Sequence, residues 1–222
     1  MFGTPNASID NYCERTGPEF WSEPLNAVTN LSFIVAGLAG LMFCRRWRSD
    51  SFARLLAWWV IVIGTGSALF HTFANRLTML ADVLPIGGFI ILFTWYTISR
   101  FLALPRFPGG FVLVAFYGLT FAAVALAPDR WRDLTNGTIS YAPALLALLF
   151  FGAWLQINDH KAARYLLAAA GVFLVSAVFR SVDEALCETM PYGTHFMWHT
   201  LNGLVLGLLV ASAAIHGGKR AA

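Results

Sequence analysis

Seven apolar stretches, each near the length needed to cross a lipid bilayer, constrain the fold of this sequence more than any other feature. A hydrocarbon core about 30 Å thick requires about 20 residues of α-helix. Only 12% of the 222 residues are charged, against about 25% in a typical soluble domain. This composition excludes a soluble enzyme, and we predict an all-α integral membrane protein, a bundle of seven transmembrane helices over residues 25–44, 54–72, 78–99, 110–127, 140–156, 163–180 and 195–215.

The segments between the spans are short, so the chain divides into three parts. Residues 1–24 form an acidic N-terminal segment, residues 25–216 form the seven-helix domain, and residues 217–222 form a tail. The first segment lacks the basic start of a signal peptide, so we expect the first span to be retained. The formal net charge of +3 is too small to indicate nucleic-acid binding, and nothing in the pattern specifies an oligomeric state.

Lysine and arginine fall unevenly on the two sides of such a bundle. The side with more of them faces the cytoplasm by the positive-inside rule. Ten lie on the side of the C-terminus: Arg45, Arg46, Arg48, Arg54, Arg100, Arg106, Lys161, Arg164, Lys219 and Arg220. Five lie on the side of the N-terminus: Arg15, Arg76, Arg130, Arg132 and Arg180. We therefore predict an extracytoplasmic N-terminus and a cytoplasmic C-terminus.

Four ionisable residues lie at or within predicted spans: His71, Asp82, His195 and His199. Ionisable side chains in a membrane are costly and indicate functional sites. The second span ends, and the third and seventh begin, on the side of the N-terminus. All four side chains are therefore expected at one depth, in the extracytoplasmic part of the bundle.

The spacing of these residues is typical of a metal site. His195 and His199 are four residues apart, as are Ser67 and His71, so each pair shares one helix face. Three histidines and one open position make a catalytic zinc site. Asp82 is then the natural base or orienting group for a zinc-bound water. A single histidine at a span end is more often interfacial, but three at one depth with an aspartate and a serine favour the metal.

The sequence DNYCE at residues 10–14, followed by Glu23, gathers acidic and amide side chains just before the first span. Carboxylate and carbonyl oxygens in an extracytoplasmic loop are the ligands that calcium takes. An ordinary solvated acidic segment explains the same residues equally well. Arg180, Asp183 and Glu184 lie at the outer end of the sixth span. They could contact substrate or order the outer loop, but we favour a solvated helix end with local charge pairing.

Four motifs together resemble the alkaline ceramidase family: CER…EPLNAVTN before the first span, SALFH, LADVLP, and HFMWH in the last span. That family belongs to a wider superfamily of seven-helix hydrolases that includes the adiponectin-type receptors. The resemblance covers nearly the whole chain. It implies a membrane-embedded hydrolase that cleaves the amide bond of ceramide, a lipid substrate, into a long-chain base and a free fatty acid.

The resemblance also assigns roles to individual residues. His71, His195 and His199 would bind zinc, Asp82 would take a proton from the zinc-bound water, and Ser67 would hydrogen-bond the developing oxyanion. An alternative within the superfamily is a receptor whose zinc is structural, but the acidic segment before the first span favours the ceramidase branch.

In the family the acidic segment binds calcium, which the resemblance implies here as a second metal. Glu14 and Glu23 match its carboxylates, and Tyr12 would contribute its backbone carbonyl. The family's first aspartate aligns with Asn11 without a gap, or with Asp10 through a one-residue bulge, and we favour Asp10. The resemblance further implies a disulfide between Cys13 and Cys187, which leaves Cys44 as a buried thiol.

Overall fold

A computed structural model describes residues 8–217 of the chain, and all the regular structure in this range is helical. Nine α-helices follow in order: α1 Pro24–Thr29, α2 Leu31–Arg46, α3 Ser51–Phe73, α4 Arg76–Tyr96, α5 Arg106–Ala125, α6 Asp129–Leu134, α7 Ala142–Ile157, α8 Ala163–Val182 and α9 His195–His216. A π-helical turn, Thr97–Phe101, extends α4, and short 3-10 turns lie at Thr138–Tyr141 and Glu184–Leu186.

Seven helical segments of the described range are long and apolar enough to cross a membrane, which confirms the predicted fold class. They are Pro24–Arg46, Ser51–Phe73, Arg76–Phe101, Arg106–Ala125, Thr138–Ile157, Ala163–Val182 and His195–His216. Most extend beyond the predicted apolar windows, and at α3 and α4 polar caps, which hydropathy does not register, define the helix starts. Asp50 caps α3 by accepting the Ala53 N–H at 2.8 Å, and Asn75 forms a capping box with Thr78 at the start of α4.

The most buried spanning helix is α9, which packs against α2, α3 and α8. At the other extreme, α5 buries only Gly109 and Tyr117 and exposes large apolar side chains such as Phe107 and Leu119. An apolar surface of this kind is the expected lipid-facing side of a membrane bundle. Most residues of α9 therefore lie inside the protein rather than towards lipid.

A tight turn and a close helix contact bring α3 and α4 together. The turn passes through Ala74, which adopts the left-handed conformation (φ 41°). Pro85 lacks an N–H, so the Ala81 carbonyl has no helical donor, and the Cα of Gly66 packs directly over that carbonyl. This contact sets Ser67, the next residue of α3, beside the stretch of α4 that carries Asp82.

The N-terminal segment folds over the end of the bundle at which α3 ends and α9 begins. The Ile9 N–H donates to the Ala74 carbonyl at 2.7 Å. The disulfide implied by the resemblance is present, joining Cys13 to Cys187 with their Cα atoms 5.1 Å apart. Cys44 is a free, buried thiol, as expected. The sidedness of the bundle stays a prediction, and residues 218–222 of the tail lie outside the described range.

The contact between Gly66 and α4 gives a direct test of the helix packing. A Cβ added at Gly66 would clash with the Ala81 backbone carbonyl, which cannot move without shifting α4. We expect Gly66→Ala to cost about 1–3 kcal/mol. The matched control is Gly118→Ala, since nothing lies within 4 Å of a Cβ there. Labelling of the buried Cys44 thiol on heating measures unfolding; equal melting of the two variants would contradict the packing described.

Candidate metal centre

Three histidines from two helices converge at the covered end of the bundle. His71 lies in the last turn of α3, and His195 and His199 occupy the first two turns of α9. One nitrogen from each ring lies within 4.8 Å of the other two. Within residues 8–217 this is the only group of three or more histidine, cysteine or acidic side chains close enough to share a metal ion. The predicted convergence of the three rings is therefore present.

Two ring nitrogens in this cluster are buried without a hydrogen-bond partner: His71 Nε2 and His195 Nδ1. All three histidines are at most 2% exposed. Unpaired buried polar atoms are rare in folded proteins because each loses its hydration without compensation. A divalent cation would satisfy these nitrogens, and three imidazoles with an open position form a known catalytic arrangement. The donor set therefore fits a metal ion.

Two neighbouring side chains fix the ring orientations. His71 Nδ1 lies 2.5 Å from Glu23 Oε2, so the ring donates its proton there and directs Nε2 into the cluster. The Thr29 hydroxyl donates to the Leu25 carbonyl at 2.8 Å and thus accepts from His199 Nδ1, 3.1 Å away. Such partners hold metal-binding histidines in one tautomer.

The orienting roles of Glu23 and Thr29 were not predicted. Although burial opposes its charge, the hydrogen bond to His71 and the Arg15 guanidinium keep the pKa of Glu23 below its ordinary value. The carboxylate is therefore suited to accept the His71 proton. Thr29 lies within the apolar first span, where a threonine carries no distinctive signal.

Asp183 anchors the start of α9, a role close to the loop-ordering alternative that the sequence interpretation did not favour. Its Oδ1 accepts the N–H groups of Thr194 at 2.5 Å and His195 at 2.9 Å, and its Oδ2 accepts the Cys13 N–H at 3.1 Å. The side chain is buried. The expectation of a solvated position at Asp183 was wrong, because this carboxylate is needed to satisfy the unpaired N–H groups of a buried helix start.

Asp82 and Ser67 complete the polar cluster beside the histidines. Asp82 is buried on α4, and its Oδ1 has no hydrogen-bond partner. The Ser67 hydroxyl lies beside the Asp82 carboxylate, close enough to stabilise its charge, and His71 also lies within electrostatic range of that carboxylate. The predicted grouping of these residues on adjacent helices is thus observed. A buried carboxylate with a free oxygen is an available proton acceptor.

Aromatic rings enclose the cluster. The Tyr12 ring stacks on His195 at a centroid distance of 3.7 Å and lies tilted to His71 at 5.3 Å. The Arg180 guanidinium lies 5.6 Å from the ring centroids of both Tyr141 and Trp198. These residues exclude water from one side of the cluster, and low local polarity strengthens electrostatic interactions within it.

A sequence profile of the ceramidase family matches residues 4–216, nearly the whole chain. The chain belongs to the ceramidase family. No curated protein sequence matches it significantly. Ceramidase membership implies a membrane hydrolase acting on the amide bond of ceramide, and the resemblance identified from the four motifs is confirmed.

The acidic segment of this ceramidase-family protein does not fit a calcium ion. Both oxygens of Glu14 accept backbone N–H groups, from Leu25 at 2.7 Å and Asn26 at 2.8 Å. Both oxygens of Glu23 are also engaged, by Arg15 and His71. Asp10 and Asn11 are exposed, and the Tyr12 backbone carbonyl accepts the Arg15 N–H at 3.1 Å. The carboxylates that the resemblance assigned to calcium are thus already satisfied by protein donors.

The anchoring role of Asp183 is tested by Asp183→Ala. The substitution leaves three backbone N–H groups without acceptors, at about 1–3 kcal/mol for each buried group. We expect a lower melting temperature and fewer metal ions retained per chain, because His195 is in the first turn of α9. The neighbouring Glu184→Ala is the control, since Glu184 is exposed. Metal content by mass spectrometry and melting would match wild type in both variants if Asp183 had no such role.

Proposed function

We propose that this ceramidase-family protein is a zinc-dependent amidohydrolase of the membrane that cleaves ceramide or a related N-acyl lipid into a long-chain base and a free fatty acid. The observation that carries the proposal is the buried three-histidine cluster beside Asp82. Imidazole ligands favour zinc over magnesium or calcium, which prefer oxygen. Calcium is not part of this proposal, because the oxygens assigned to it are occupied.

His71, His195 and His199 would hold the zinc ion. When bound, such an ion polarises a carbonyl and lowers the pKa of a coordinated water to near neutrality. Glu23 and Thr29 keep the His71 and His199 rings in the tautomers that present Nε2. No serine or cysteine nucleophile is required, which agrees with the position of Ser67 beside a carboxylate rather than a general-base histidine.

Asp82 and Ser67 act on the amide itself. Asp82 accepts a proton from the attacking water as the new C–O bond forms at the carbonyl carbon. The Ser67 hydroxyl donates a hydrogen bond to the oxygen on which negative charge develops, a form of stabilisation that is often the largest in catalysis. Asp82 then returns the proton to the amide nitrogen as the C–N bond breaks, so that the amine and the carboxylic acid leave.

An apolar cavity inside the bundle is evidence that the substrate carries a long acyl chain. The cavity begins beside the metal centre at Phe33 and Trp198 and continues past Ala147 to Leu209. Trp198 and Leu209 are eleven positions apart on α9, which corresponds to about 16 Å of helix. Since apolar walls of this length match a hydrocarbon tail, the amide of a lipid with its chain in the cavity would lie next to the histidines.

The side of the membrane on which hydrolysis occurs follows from the charge distribution along the chain. The metal centre lies at the N-terminal end of the bundle, and the positive-inside count predicts that this end is extracytoplasmic. We propose that the two-tailed substrate enters sideways between helices, because its amide already lies near the depth of the histidines.

The assigned roles predict different effects for two neighbouring substitutions. Asp82→Ala is expected to abolish hydrolysis of ceramide, because the proton acceptor is lost. Ser67→Ala is expected to lower turnover by about 100- to 1000-fold, the usual effect of removing one oxyanion donor. Both variants should retain one zinc ion per chain by mass spectrometry, whereas His199→Ala should lose it.

The assay is release of fatty acid from a panel of N-acyl lipids by purified protein in detergent, with and without removal of zinc. Wild-type turnover by Asp82→Ala would refute its role as the base. Stoichiometric zinc with no hydrolysis of any lipid in the panel would favour a receptor with structural zinc instead.

The position of the acyl chain is tested by filling the cavity. Ala147 is buried and lines the cavity, so Ala147→Phe should shift the preference towards substrates with shorter acyl chains. The control is Leu146→Phe on the preceding residue, which is exposed on the outside of α7. Competition between short-chain and long-chain ceramides measures the preference, and an unchanged ratio in Ala147→Phe would place the acyl chain elsewhere.

A further inference from the structure

The Arg15 guanidinium lies buried at the junction of three segments of the chain. Its Nε donates to Glu23 Oε1, its Nη1 to the Gly17 carbonyl at 2.9 Å, and its Nη2 to the His71 carbonyl at 3.1 Å. Only 1% of the side chain is exposed. A buried charge is tolerated only with matched partners, and each of the three guanidinium nitrogens has an oxygen acceptor here.

The acceptors around this guanidinium are a carboxylate and two backbone carbonyls, the oxygen types that bind calcium in proteins. The Arg15 guanidinium therefore already occupies the position among these oxygens that a bound metal cation would take. A divalent ion that shared Glu23 would lie within a few ångströms of the guanidinium, and the repulsion at that distance is large in a buried setting. Calcium could enter only if Arg15 left.

The other residues of the acidic segment offer no second group of ligands. Both Glu14 oxygens are held by the backbone at the start of α1, and this buried position fixes that helix rather than an ion. Asp10 and Asn11 are exposed. Within the described range, no three acidic side chains converge.

We propose that Arg15 is the resident cation of the N-terminal segment, and that this protein folds and holds its metal centre without calcium. The guanidinium contacts the His71 backbone directly and, through Glu23, orients the His71 ring. It thus ties the N-terminal segment to the last turn of α3. The proposal concerns binding and stability and does not depend on the hydrolase activity.

The wild-type protein provides the first test. Purified zinc-loaded protein in calcium-stripped detergent buffer is dialysed against radioactive calcium up to about 1 mM, the weak end of protein calcium sites. The expected result is no stoichiometric binding and no change in melting temperature. Binding of one calcium ion per chain with a rise in melting temperature, both lost in Glu23→Gln, would overturn the proposal.

Variants of Arg15 provide the second test. Arg15→Asn leaves Glu23 buried without its cation, so the melting temperature should fall by about 6–20 °C. The melting temperature of Arg15→Lys should fall by less, because lysine keeps the charge but cannot donate to all three acceptors as the guanidinium does. Arg130→Asn is the control, since Arg130 is exposed. Melting of Arg15→Asn at the wild-type temperature would contradict the proposal; if that variant does not fold, the wild-type calcium measurement still decides.

Discussion

At one end of this bundle, the arrangement of the polar side chains is determined by the free-energy cost of burying them without partners in apolar surroundings. Three imidazoles, four carboxylates and a guanidinium lie together there with almost no contact with water. Each must find a partner, because an isolated charge or unsatisfied polar atom in such a place costs several kcal/mol. Glu23 pairs with Arg15 and His71, while the remaining nitrogens of the histidines face one another. The proposed metal ion would bind the histidine nitrogens that have no other partner.

The metal centre is held from outside the membrane-spanning helices as well as from within. Asp183 fixes the start of α9 and the backbone of Cys13 together, the disulfide joins the same two segments, and the Tyr12 ring covers His195. Because these contacts link the N-terminal segment to both histidine-bearing helices, that segment is a structural part of the site rather than a loop beside it.

Several parts of the site were predictable from the sequence, and others were not. His195 and His199 on one face, and Ser67 with His71 on another, follow from helical spacing alone. Thr29 was missed, and the ordering role of Asp183 was not favoured, because both roles depend on which atoms the fold brings opposite these side chains. Glu23 was recognised, but its partner was not, since the pairing with Arg15 requires the chain to fold back between residues 15 and 23.

The sequence by itself determined that the chain is a seven-span membrane protein, because span length and low charge are properties of consecutive residues, and its four motifs carried the resemblance to the ceramidase family. It also placed three histidines and an aspartate at one depth, since antiparallel spans alternate in direction. Only the tertiary structure decided what surrounds the acidic segment. Hydrogen bonds such as those from Arg15 to Gly17 and His71 join residues far apart in the chain, and whether a carboxylate receives a metal ion or a guanidinium depends on which cation the folded backbone brings to it.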